Sequence, residues 1–123
     1  MTQTILIADD EPNIVISLEY LLQREGYRVL VARDGQEALD TIAAQRPELV
    51  LLDVMLPKLS GFDVCQAIRN DPALAGMRIV MLTAKGRGVE MSKGIALGAD
   101  AYVTKPFSTK DLLAQIRTQL GGG

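Results

Sequence analysis

Five short apolar runs decide what this chain can become: "TILIA" (4–8), "RVLVA" (28–32), "LVLL" (49–52), "RIVML" (78–82) and "AYVT" (101–104). Between them lie stretches whose apolar residues recur three or four positions apart. These include Ile14, Leu18, Leu21 and Leu22; Ala38, Leu39 and Ile42; Phe62, Cys65 and Ile68; and Leu112, Leu113, Ile116 and Leu120. The first pattern predicts strands and the second helices. A run such as Leu49–Leu52, apolar without alternation, predicts a strand covered on both faces. Strands of this kind alternating with helices predict an α/β fold with a parallel sheet and five helices. A chain of 123 residues, 48% apolar, suffices for one such domain and its core. That domain is expected over residues 1–120, with "GGG" at 121–123 a flexible connection or a cloning remnant. Met1 followed directly by a clean strand is expected to be a native start.

The segment boundaries carry fitting chemistry. Pro12 suits the first turn of a helix, and Gly26 suits the left-handed residue after its end. Asp34 with Glu37, and Ser108 with Asp111, have capping-box spacing. Pro57 and Gly61 are expected to turn the chain after the third strand. The fourth helical segment (85–99) holds four glycines, each costing about 1 kcal/mol inside a helix. Some of them are expected in loops, and this helix is expected to be the most pliable.

Several function classes are disfavoured at once. The formal net charge of -2 lacks the basic footprint of a nucleic-acid binder. No apolar stretch approaches the roughly 20 residues of a membrane helix, and the apolar "ILIA" meets two acids at once, unlike a signal peptide. A cytoplasmic location is therefore expected. The single Cys65 has no disulfide partner in the chain and is expected to be a small buried hydrophobe. The absence of histidine removes Ser-His and Cys-His catalysis, histidine metal sites and phosphohistidine from this chain.

In a parallel α/β sheet all strand C-termini share one edge, where ligands bind. Strand one ends in Asp9 and Asp10, strand three in Asp53, strand four in Thr83 and strand five in Lys105. Strand two, ending in Ala32 and Arg33, offers nothing comparable. At about 4 Å and an effective dielectric near 20, each pair of carboxylates costs roughly 4 kcal/mol before screening. Lys105 answers part of this repulsion, and a hard divalent ion such as Mg²⁺ suits an all-oxygen site for the rest. Such a site is suited to accept a phosphoryl group on one carboxylate.

The motifs "ILIADDEP", "LVLLDVMLPKLSG", "VMLTA" and "GADAYVTKPF" resemble those of the response-regulator receiver domain of two-component signalling, from Thr4 to about Leu120. The resemblance implies a flavodoxin-like sheet of order 2-1-3-4-5 with helices on both faces. It implies Asp53 as phosphoacceptor, Asp10 as a direct Mg²⁺ ligand, Asp9 as its water-mediated support and the Met55 carbonyl as a further ligand. By the same resemblance Lys105 pairs with phosphoryl oxygens, Thr83 hydrogen-bonds them, and Tyr102 changes rotamer on activation. Lys105-Pro106 is expected to be cis. The donor is expected to be a phosphohistidine on a sensor histidine kinase or a histidine phosphotransfer protein. The output is expected through the face of the fourth helix, fifth strand and fifth helix, toward a partner, another domain or a second copy. No nucleic acid or membrane contact by this domain is expected. Met55 and Lys85 stand where they would tune phosphate lifetime, with slow self-hydrolysis expected.

Two other classes remain for comparison. A phosphohydrolase of the haloacid-dehalogenase type places its nucleophile after strand one with a second acid two residues on, whereas Asp9 and Asp10 here are adjacent. A receiver-shaped module that signals without phosphate would keep the fold and leave the site unused.

Overall fold

The computed structural model describes residues 2–84 and 88–121, and only the backbone of Val89 and Glu90. The elements alternate throughout: β1 (Thr4–Ala8), α1 (Pro12–Arg24), β2 (Arg28–Ala32), α2 (Gly35–Gln45), β3 (Leu49–Asp53), α3 (Gly61–Arg69), a 3-10 turn (Pro72–Leu74), β4 (Arg78–Ala84), α4 (Gly88–Ala96), β5 (Ala101–Lys105) and α5 (Thr109–Gln119). The five strands pair in parallel in the order 2-1-3-4-5. The expected fold is the observed one. The fourth strand runs two residues further than its apolar run, through Thr83 and Ala84, because β5 pairs with it there.

Strands β1 to β4 divide their side chains between two cores, and β5 joins one of them. Ile5, Ile7, Leu49, Leu51, Val80, Leu82 and Val103 meet α1 and α5 through Val15, Leu18, Leu22, Leu112 and Ile116. Leu6, Ala8, Val50, Leu52, Ile79 and Met81 meet α2 and α3 through Ala38, Ile42, Val64, Cys65 and Ile68. Burial on both faces explains why β1 and β3 show no polar alternation. Cys65 is buried, and that burial pushes its thiol above the usual pKa, as expected of a packing residue.

The caps differ in detail from expectation. Pro12 opens α1, and Gly26 follows it with φ +92°. Asp34 accepts the Glu37 N–H at 2.7 Å, but the Glu37 carboxylate turns to the N–H of Arg33. Ser108 accepts the Asp111 N–H at 3.0 Å. The full reciprocal box lies elsewhere: Ser60 accepts from the Asp63 N–H and the Asp63 carboxylate accepts from the Ser60 N–H. In the β3–α3 loop the left-handed residue is Lys58, at φ +69°, rather than Gly61. Gly61 is required by space: a Cβ there would strike the backbone carbonyl of Asp53.

Of the four glycines in 85–99, Gly86 and the neighbouring Lys85 lie outside the described residues. Gly88 opens α4, and Gly98 lies beyond its end with φ +106°. Gly94 is the interior one, and a Cβ there would meet Met81 Cγ at 3.4 Å, an ordinary van der Waals contact.

Candidate functional site

Strand parity builds the site. Asp9 follows Ile7 by two, Asp53 follows Leu51 by two, and Lys105 follows Val103 by two. Those three apolar residues belong to the core under α1 and α5, so the charged trio continues that face of the sheet. It emerges at the C-terminal edge, where the central strands β1 and β3 lie adjacent. Asp9 is fully buried, Asp53 is 5% exposed and Asp10 is exposed.

Lys105 knits the cluster together. Its ammonium donates to Asp9 Oδ2 and Glu11 Oε1 at 2.8 Å each and to Asp53 Oδ2 at 3.3 Å. The loop backbone contributes too: the Glu11 N–H donates to Asp9 Oδ1 at 2.9 Å and the Met55 N–H to Asp53 Oδ1 at 3.1 Å. Burial pushes the Asp53 carboxyl above its ordinary pKa, and the Met55 N–H and Lys105 only partly offset it. Burial also works against the Lys105 charge, but its hydrogen bonds to Asp9 and Glu11 and the charges of Asp53 and Asp9 outweigh it and hold its pKa high.

A carboxyl whose folded pKa lies above its unfolded value opposes folding when ionised, and this penalty fades as pH falls through the folded pKa. Metal-free Asp53→Asn is therefore expected to be more stable than the parent at pH 7. In urea titrations the gap should narrow steadily toward pH 4. A gap that widens on acidification would contradict the burial account.

One carboxylate oxygen from each of Asp9, Asp10 and Asp53 can be chosen so that all lie within 4.8 Å of one another. Hard oxygen donors at that spacing fit a divalent cation such as Mg²⁺. Thr83 is buried at the end of β4, and its Oγ1 has no hydrogen-bond partner among the described residues. Such an orphan hydroxyl costs about 1–3 kcal/mol, a cost normally met by a ligand or water. By parity Thr83 lies on the face of Met81, whose register partner in β5 is Tyr102. Tyr102 is 41% exposed and borders an apolar groove of about 380 Å³ with Met91, Ile95 and Ala96 of α4. Met55 is 70% exposed, and Lys105-Pro106 is cis as expected.

Asp9, Asp10, Asp53, Thr83 and Lys105 thus stand at or near the C-terminal ends of their strands, with Met55 in the loop beyond, whereas Tyr102 lies three residues short of the end of β5, beside the α4 groove. The residue missed is Glu11, which directly follows the two acids of strand one. Its side chain makes no cap bond and binds Lys105 instead. The available signal was its type, since glutamate is not among the favoured N-cap residues.

Comparison with known proteins agrees with this geometry. The family model described as the response regulator receiver domain matches residues 5–117. The chain belongs to that family, whose members are the receiver domains of two-component systems. It is 45% identical to the alkaline phosphatase synthesis transcriptional regulatory protein PhoP of Bacillus subtilis, over 98% of this chain and 49% of that protein. It is 46% identical to the DNA-binding response regulator MtrA of Mycolicibacterium smegmatis, over 98% of this chain and 51% of that protein. The chain thus spans about half the length of these curated relatives. Among solved structures it resembles the chemotaxis response regulator CheY4 of Vibrio cholerae, with TM-score 0.91, 30% identity, and coverage of 97% and 99% of the two chains. It also resembles the receiver domain of the sensor histidine kinase PA1611 of Pseudomonas aeruginosa, with TM-score 0.90, 29% identity, and coverage of 98% and 99%. That structure has a magnesium ion coordinated in its active-site cleft.

Proposed function

We propose that this receiver domain takes a phosphoryl group on Asp53 and reports it through the face of α4, β5 and α5. The observation that carries the reading is the trio Asp9, Asp53 and Lys105, joined at the edge where β1 and β3 end. Asp53 Oδ would attack the phosphorus of a phosphohistidine; the P–N bond breaks as the O–P bond forms. This chain contains no histidine, so the donor histidine lies outside it, and a sensor histidine kinase or a histidine phosphotransfer protein would supply it.

Asp10, Asp53 and the Met55 carbonyl would hold Mg²⁺, with Asp9 supporting it through water; the PA1611 receiver supports this by analogy. When bound, the ion supplies positive charge that stabilises the transferring phosphoryl oxygens. Lys105 would exchange part of its carboxylate contacts for those oxygens. Thr83 Oγ1 would give them its unused hydrogen bond, and its inward shift would make room for the Tyr102 ring. Movement of α4 then alters the groove of Met91, Ile95 and Tyr102, which a downstream domain, partner or second copy reads. Transfer and later hydrolysis of the acyl phosphate are self-catalysed, and the product is a signal rather than a metabolite.

Intact-mass measurement after incubation with acetyl phosphate and Mg²⁺ tests this. A gain of one phosphate is expected, lost on adding EDTA beforehand and lost in Asp53→Asn. An equal gain in Asp53→Asn would overturn the assignment. No gain in the parent protein would favour a receiver that works without phosphate.

A further inference from the structure

Lys105 has three N–H donors, and three carboxylates take them. The contact to Asp53 is the longest, at 3.3 Å, while Asp9 and Glu11 each accept at 2.8 Å. Glu11 has no local task for its side chain. It stands at the N-cap of α1, yet makes no side-chain cap bond, and Pro12 behind it has no N–H to offer. Its carboxylate, 58% exposed, crosses instead to the last residue of β5, 94 positions away. The Glu11 N–H bond to Asp9 fixes the base of this arm beside the cluster.

We propose that Glu11 is a positioning residue for Lys105: it draws the ammonium toward α1 before transfer and competes with phosphoryl oxygens for it afterwards. This rests on the reading of Asp53 as phosphoacceptor. Neutralising Glu11 should free Lys105 and ease phosphorylation.

Initial rates of phosphate incorporation are to be measured against acetyl phosphate concentration, with Mg²⁺, for the parent, Glu11→Gln, Lys105→Met and the double variant. Glu11→Gln is expected to lower the half-saturating acetyl phosphate concentration about threefold, as one close charge pair would. The shift should vanish when residue 105 is methionine. The same four proteins in EDTA and urea should show coupling between the two positions, about threefold in the unfolding equilibrium constant. An identical shift in both backgrounds, no shift in a parent that does take phosphate, or additive stabilities would overturn the proposal. A parent that takes no phosphate removes the reading of Asp53, while the EDTA cycle still decides whether Glu11 holds Lys105. Should Lys105→Met not fold, Glu11→Asp decides: it keeps the charge but loses reach, so it must behave as Glu11→Gln. Parent-like behaviour of Glu11→Asp would overturn the positioning role.

Discussion

Replacing Lys105 with methionine is expected to cost about 3–5 kcal/mol of folding stability in metal-free buffer, the cost of stripping a buried charge of its partner. Lys105 spans Asp9, with no exposed surface, and Asp53, with almost none. Methionine keeps the length and the apolar stem but leaves the two carboxylates facing each other. A typical domain is stable by only 5–15 kcal/mol, so the loss would dominate the denaturation curve. Mg²⁺ should return part of it, because an ion that binds only the folded state adds about 2.7 kcal/mol at a hundredfold excess over its dissociation constant. Urea denaturation of the parent and Lys105→Met, with EDTA and with Mg²⁺, measures both effects. Equal stabilities in EDTA would mean that Lys105 does not compensate the acids.

Gly61→Ala is expected to lower stability by about 2–4 kcal/mol, the range of a forced steric clash. The reason is backbone against backbone. Gly61 begins α3, donates its N–H to the Val54 carbonyl at 3.0 Å, and sits against the Asp53 carbonyl and, at 2.9 Å from the added Cβ, the Val54 Cα. Neither neighbour is the end of a flexible side chain, so β3's last residue must move. Phosphorylation should therefore fall together with the melting temperature. Gly76→Ala is the control, since a Cβ there meets nothing within 4 Å. It should change stability by less than about 1 kcal/mol. Thermal melts and phosphorylation of both variants decide the matter, and a Gly61→Ala protein as stable as Gly76→Ala would contradict the packing described.

The fold was legible because its signal is local. Short apolar runs without alternation, bounded by turn residues, read as strands covered on both faces, and β1, β3 and β4 are buried along almost their whole length. The acidic edge was legible for the same reason: residue parity carries Ile7 into Asp9 and Leu51 into Asp53 on one face. What escaped is what depends on distance or on backbone angle. Arg69 on α3 reaches Asp100 at 2.7 Å and the carbonyls of Met77 and Gly98 at 2.8 Å, a link that no local pattern announces. The Ser60–Asp63 box was missed although its Ser-x-x-Asp spacing is the one read at Ser108 and Asp111. Lys58 took the left-handed turn that a glycine would ordinarily mark, while Gly61 serves close approach instead. Glu11 and Lys105 meet only after the sheet has formed.

These pieces converge on a single chemical claim. Burial raises the energy of an ionised Asp53, a bound cation would relieve it, and on the proposed reading this carboxylate takes the phosphoryl group. Borohydride reduction tests that claim at the residue itself, because it converts an aspartyl phosphate to homoserine. After phosphorylation with acetyl phosphate and Mg²⁺, peptide mass mapping is expected to find homoserine at position 53. Homoserine at position 9 or 10 instead, or none in protein that has gained a phosphate, would contradict the account.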